Sequence, residues 1–474
     1  MKTSLLLLAT SASAFAVLPS VGPDYQRPTT PAPSAYRDAD NLGSWKTAAP
    51  ADTTARGEWW KLFADSALDV LESRALTANQ DLRAAAARVE QARAAAGIAR
   101  SGYWPQLAVS PSVTRERTSG TTENVAPDTL TTTYRAPLIA SWELDLFGRV
   151  RRLSESARAD ADASAATFES VRLALTAEVA ATYFSLHGLD HELALVRDTA
   201  SLRRKALDLV NARLKSGAAG ELDVARAETE LASADADAAA LANRRAALQN
   251  ALAVLVGAPA SEFELSALNS QLSTVPTIPS GLPAELLERR PDIAAAERTL
   301  ASANARIGVA KAAFFPAISL TGGAGFASGD IDRLFNSDSR AWSIGPSLYL
   351  PIFQGGRNRA NLERSRAAYD ESVALFRQRV LIAFREVQDA LTATHLLAEQ
   401  SSAQDRALVA ARRAASLAQT RYDAGYVSYL EVIDAQRTSL ATERASAQLA
   451  ALRLNTGVAL IKALGGGWQA TPSS

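Results

Sequence analysis

The stretch RYDAGYVSYLEVIDAQRTSL (residues 421–440) carries a helical pattern up to one glycine, Gly425, and resumes it at once. An earlier stretch, RLKSGAAGELDVARAETELA (213–232), does the same at Gly217. Setting Gly217 on Gly425 fixes an offset of 208 residues, which also carries Arg213 to Arg421, Val224 to Val432 and Gly257 to Gly465 without a gap. A second pair, QDLRAAAARVEQARAAAGIARSGYWPQL (80–107) and PDIAAAERTLASANARIGVAKAAFFPAI (291–318), matches Asp81 to Asp292 and Pro105 to Pro316. The chain is an internal duplication, and each half reads helix, strand, strand, long helix, sharp tip, helix.

No proline falls between Pro137 and Pro259, or between Pro351 and Pro472, while Ala, Leu, Arg and Glu dominate both stretches. Helix therefore has no interior breaker there. A first leg from Arg149 to Lys215 spans ~100 Å at 1.5 Å per residue, and a return from Glu221 to Gly257 only ~55 Å. A helix from Asp65 to Arg100 supplies the missing ~54 Å if stacked end to end on the return leg. The second half repeats this with Gly356 to Ala424, Ser428 to Gly465 and Pro283 to Ala313. Helices of this length exceed what a compact globule holds and lie side by side.

In RAPLIASWELDLF (135–147), Leu138, Ala140, Trp142, Leu144 and Leu146 alternate with Ile139, Ser141, Glu143 and Asp145. AWSIGPSLYLPIF (341–353) alternates likewise, and weaker alternation precedes each in PQLAVSPSVT and PAISLTGGAGFAS. Such segments of about ten residues mark membrane barrel strands. Prolines 111, 137 and 346 stand awkwardly inside these runs. Four strands cannot close a barrel in lipid, so the barrel is shared, with 8, 12 or 16 strands in a dimer, trimer or tetramer.

Composition narrows the function classes. Lys plus Arg number 50 and Asp plus Glu number 50, so the net charge is zero and no basic face for nucleic acid is indicated. There is no cysteine, which removes disulfides and thiolate chemistry. The start MKTSLLLLATSASAFAVLP reads as a secretory signal peptide ending at residue 14 or 16, and no later run is long enough for a membrane-spanning helix. His187 and His191 stand at i, i+4, a spacing that could seat zinc, but no third ligand is evident and both read as ordinary solvated residues. No triad, nucleotide loop or paired catalytic carboxylates emerge, so no enzyme activity, cofactor or metal is expected.

These segments, in order, resemble the TolC-like outer-membrane efflux proteins. The resemblance is to the NodT-type lipoprotein branch that works with resistance-nodulation-division (RND) pumps. It rests on VGPDYQRP (21–28), WWKLFADSALDVLESRAL (59–76), LDLFGR (144–149), LPAELLERRPDIAAAE (282–297), FPAISLTGGAG (315–325), PIFQGGR (351–357) and RYDAGYVSYLEVIDAQR (421–437). The resemblance implies a homotrimer: a 12-stranded β-barrel in outer-membrane lipid continued by a 12-helix periplasmic α-barrel, with an equatorial belt. Partners would be a periplasmic adaptor and an inner-membrane RND pump. The branch usually carries a cysteine before VGPDY for lipidation; here Leu18, Pro19 and Ser20 stand there, offering no thiol for an acyl anchor.

The expected organisation is a signal peptide (1–16), an N-terminal segment and belt (17–64), a first repeat (65–257), an equatorial linker (258–282), a second repeat (283–465) and a tail (466–474). Strands are expected at about 104–117 and 133–147, then 316–328 and 340–353, with helical hairpins at 149–257 and 356–465. Gly217 and Gly425 can take the left-handed conformation that ends a helix. The resemblance places Gly217, Gly220, Glu221, Gly425, Val427 and Ser428 against the adaptor. It places Leu430, Asp434 and Arg437, which share one helical face, at the closed periplasmic aperture. Three copies of Asp434 would form a cation-selective constriction that Arg437 partly neutralises. Read without the resemblance, Asp434 and Arg437 make a surface i, i+3 ion pair. The function that follows is a passive exit duct for small molecules. Two other readings are the outer-membrane element of a type I protein secretion system and a periplasmic coiled-coil scaffold, which would leave the strands idle.

Overall fold

The structure is a computed structural model that describes residues 20–29, 57–119, 130–266 and 290–466. The signal peptide, most of the belt, most of the linker and nearly all of the tail lie outside these residues. Seven helices are described: α1 (Ser66–Ala78), α2 (Gln80–Ser101), α3 (Arg149–Lys215), α4 (Glu221–Leu255), α5 (Pro291–Ala312), α6 (Arg357–Asp423) and α7 (Tyr429–Ala463). The strands are β1 (Gln106–Val109), β2 (Ser112–Arg117), β3 (Leu130–Leu144), β4 (Ala317–Ser328) and β5 (Arg340–Tyr349). The chain divides into two compact units, one of residues 1–29, 88–165 and 295–377, the other of the remainder.

The first unit holds the sheet, ordered β1-β3-β4-β5 with β2 also on β3, all antiparallel. What sequence reads as one strand over 104–117 is two, because Ser110 and Pro111 interrupt it and proline has no N–H for the ladder. Pro137 stays inside β3, opposite Gly325, where a Cβ would sit 2.7 Å from the proline Cα. Pro346 falls on β5, an edge strand within this chain. β3 stops at Leu144, three residues short of the expected 147, because Asp145 turns to cap α3, accepting from Val150 N at 3.0 Å and Arg151 N at 2.8 Å.

Register sorts the faces, since residues opposite each other share a side. The even-numbered residues of β3 lie with Leu107, Val109, Leu320, Ile344 and Leu348, giving an apolar face. The odd-numbered ones lie with Ser112, Thr114, Thr321, Ser343 and Ser347, giving a polar one.

A strap, residues 20–29, binds this unit together. Val21 N donates to Phe147 O at 3.1 Å, Asn304 Nδ2 donates to Pro23 O at 3.0 Å, and the buried Arg152 donates to Asp24 at 2.7 Å. Gly22 has φ +115°, and a Cβ there would meet Gly308 Cα at 2.5 Å. Gly22→Ala is therefore expected to unseat the strap at a cost of about 2 kcal/mol. The check is faster chymotryptic cleavage after Tyr25, whose hydroxyl donates to Glu297 in the seated strap, with Gly97→Ala, whose Cβ meets nothing within 4 Å, as the control that changes nothing.

The second unit is built on Trp59, Trp60 and Phe63, which pack with Leu68 and Leu71 of α1, Phe184 of α3, Leu252 of α4 and Ile461 of α7. Trp59 Nε1 donates to Thr176 Oγ1 at 3.1 Å and Tyr183 OH to Asp65 Oδ2 at 2.8 Å. Gly188 lets α3 and α7 approach, since a Cβ there would lie 2.5 Å from Ala451 Cβ. The single helix expected over Asp65–Arg100 is instead α1 and α2. Asn79 breaks it with an extended backbone, its Oδ1 accepting from Leu82 N at 2.9 Å and its Nδ2 donating to Leu255 O at 3.0 Å. α5 starts at Pro291, where the expected segment began at Pro283 in undescribed chain. The buried Arg290 just before it bonds Asp292 and Glu386 at 2.7 Å each and Ala463 O at 3.0 Å.

Candidate functional site: the hairpin tips and the α7 face

The tips belong to the second unit. Gly217 has φ +74° and Gly425 +79°. Ala218 N donates to Arg213 O at 2.8 Å while Gly217 N donates to Leu214 O at 2.9 Å, the paired bonds of a Schellman turn. Gly425 and Tyr426 repeat it on Tyr422 O and Arg421 O, both at 2.9 Å. Gly257 (φ +69°) and Gly465 (φ +89°) end α4 and α7 in the same way. Gly220 needs no left-handed backbone: it caps α4 at φ −101°, its N–H reaching Asp223 at 3.4 Å. Ser428 caps α7 without a side-chain bond. Gly217, Gly220, Glu221, Gly425 and Ser428 are exposed and Val427 is half-buried. Beside them, Arg213 lies 4.7 Å over the Tyr422 ring, and Tyr422 meets Tyr429 at 5.6 Å.

On α7, Leu430, Asp434 and Arg437 are all exposed. The expected i, i+3 pair is not the contact Arg437 makes. Arg437 ion-pairs with Glu230 of α4, whose carboxylate also takes Arg203 of α3 at 2.8 Å. Arg203 donates further to the Glu230 carbonyl at 2.7 Å. Glu230 is 5% exposed and Arg203 9%, so three helices meet at a buried charge cluster of which only Arg437 reaches water. The hydrogen bond to Glu230 raises the Arg437 pKa further and keeps it ionised. One stage along, buried Glu192 of α3 accepts from Arg444 at 2.8 Å and from Gln448 at 3.1 Å, both on α7, and Arg444 also reaches Asp237 of α4 at 3.0 Å. α7 is thus tied to α3 and α4 by charges spaced along its length. Sequence alone missed Glu230, Arg203 and Glu192, because mid-helix Glu and Arg in alanine-rich runs look like any solvated face.

The histidines correct one expectation. His191 is exposed, but His187 is buried at 1% exposure and packs 6.2 Å from the Tyr183 ring. No group of three or more metal-ligating side chains occurs among the described residues.

The family model described as outer membrane efflux protein matches residues 71–258 and 282–466. The chain belongs to this family. This outer membrane efflux protein is 36% identical over 451 residues to the cation efflux system protein CusC of Escherichia coli O6:H1, covering 95% of this chain and 96% of that one. It is 38% identical over 451 residues to the solvent efflux pump outer membrane protein SrpC of Pseudomonas putida, covering 95% of each. The crystal structure of the Campylobacter jejuni CmeC outer membrane channel superposes with a TM-score of 0.87 at 26% identity over 95% of both chains. The protein is an outer-membrane efflux channel that extends into the periplasm, and its mostly helical fold is TolC-like.

Proposed function

We propose that three copies of this chain pool their strands into a 12-stranded barrel and their helices into a 12-helix tunnel, a passive exit duct for small molecules. The observation that carries this is the sheet. It has one apolar and one polar face, and its β1/β2 side and β5 are open edges among the described residues. Lipid tolerates no unpaired ladder, so β5 of one copy must meet β1 and β2 of the next. Energy comes from an inner-membrane RND pump through a periplasmic adaptor, which meets the tips at Gly217, Gly220, Glu221, Gly425, Val427 and Ser428. One similar protein is named for cations and another for solvents, chemically opposite cargoes, which favours selection by the pump. Light scattering of the detergent-solubilised protein tests the assembly: three protomers of 50.1 kDa are expected, with discrete conductance in planar bilayers. A non-conducting monomer would sink the reading.

Leu430, Asp434 and Arg437 line the closed aperture in this reading, with Arg437 drawn back to Glu230 and Asp434 left facing the axis. Carboxylates gathered on a narrow axis select cations. Asp434→Ala is expected to reduce cation selectivity and to loosen the closed state, seen as a changed reversal potential and a higher open fraction. Currents identical to wild type would remove Asp434 from the aperture.

A further inference from the structure

The apolar face of the sheet ends in arginine. Register places Arg115 opposite Thr132, Arg117 opposite Leu130, and Arg340 opposite Phe326, which itself faces Ala136. All three guanidinium-bearing residues therefore share the side of Val109, Leu138 and Trp342. They are the only charged residues on that side of the described strands. The two strand carboxylates, Glu116 and Glu143, lie on the other side.

Their end of the sheet is fixed by the chain. α2 enters β1, β3 leads to α3, α5 enters β4 and β5 leads to α6, so every helix joins at the Leu144–Ile318–Leu348 end. The arginines stand at the opposite end, where loops connect β2 to β3 and β4 to β5. With the helices in the periplasm, that end faces the cell exterior. From Leu144 to Ala136 the apolar column runs ~26 Å along the strand at about 3.3 Å per residue, close to the roughly 25 Å band of membrane barrels. Arg340 caps this column on β5, and Arg115 caps it on β2. Asp330, Asp332 and Asp338 stand in the β4–β5 connection, yet neither Arg115 nor Arg340 forms an ion pair among the described residues, outside which Glu123 and Asp128 of the β2–β3 connection lie.

We propose that Arg115 and Arg340 form a basic collar on the lipid-facing side of the sheet that binds the phosphate groups of the outer-leaflet glycolipid, lipid A. The proposal rests on the shared-barrel reading, which puts this face in lipid and brings Arg340 of one copy toward Arg115 of the next. Guanidinium forks take phosphate oxygens two at a time, and with no carboxylate on that side of the described strands, Arg115 and Arg340 are matched by the lipid phosphate as the complementary anion.

The test uses the full-length detergent-solubilised channel and its Arg115→Gln/Arg340→Gln variant, titrated with lipid A, with dephosphorylated lipid A and with inorganic phosphate, bound lipid being counted by native mass spectrometry. Wild type is expected to prefer lipid A, and each arginine lost is expected to weaken it about fivefold. Dephosphorylated lipid A should bind wild type no better than lipid A binds the variant, and millimolar inorganic phosphate should leave the lipid in place. Equal retention by wild type and variant overturns the collar, as does equal retention of the dephosphorylated lipid. Displacement by inorganic phosphate overturns it in favour of a free-anion site. Conductance in phosphatidylcholine bilayers is measured in parallel: a conducting wild type without lipid A preference defeats the collar alone, and a non-conducting one defeats the shared barrel.

Discussion

Glu230→Ala is expected to lower stability by about 3 kcal/mol and to raise the open fraction of the channel in planar bilayers. Removing one partner of a buried ion pair leaves the other charge uncompensated, which typically costs 3–5 kcal/mol. Arg203, 9% exposed, would keep only the carbonyl of residue 230, its 2.7 Å contact. Arg437 would lose its partner too, but its side chain is 57% exposed and water would replace the carboxylate. The two arginines therefore separate folding from gating. Arg437→Ala should cost well under 1 kcal/mol, as exposed pairs do, yet release α7 and change the currents. Thermal midpoints of the detergent-solubilised protein and single-channel recordings provide the check. A Glu230→Ala channel with wild-type midpoint and currents would show that the cluster neither holds the fold nor latches α7.

Glu72→Leu is expected to stabilise the protein, increasingly so as pH rises from 5 to 9. Glu72 is fully enclosed on α1, and neither carboxylate oxygen has a hydrogen-bond partner. Burial, reinforced by Asp69 one turn earlier, pushes its pKa from 4.5 up to about 9. Below pH 4.5 folded and unfolded chains both carry the proton, and no penalty exists. Between 4.5 and 9 the unfolded chain sheds it while the folded one retains it, so stability falls by about 1.4 kcal/mol per pH unit, reaching about 3 kcal/mol by pH 7. Leucine carries no titrating group and removes this slope. Glutamine should flatten the pH profile with a smaller gain, because its amide stays unpartnered. Parallel melting-temperature profiles for wild type and Glu72→Leu would contradict the assignment.

Both residues show where reading the sequence stops. The helical legs and the tip glycines are legible because proline and glycine act locally, on their own backbone. The break at Asn79 is not, since the residues around it favour helix and its amide is held by Leu255 O, 176 residues away. Glu72 looks like an ordinary polar position until Trp59, Trp60 and Phe63 cover its helix. His187 reads as solvated until the helix face that carries it is packed against neighbours. Alternation identified β3, but that Arg115 and Arg117 share its apolar face follows only from their register against Thr132 and Leu130. Local chemistry speaks through the sequence; partner identity at long separation does not.

The offset of 208 residues that superimposes the halves carries Arg203 to Ala411, Glu230 to Thr438 and Arg437 back to Thr229. An ancestral chain of two identical halves would have locked both of its blades or neither. Divergence at these few positions leaves each chain with one blade that anchors and one that is fastened to it, so in the proposed trimer a sixfold-looking rim would work with threefold rhythm.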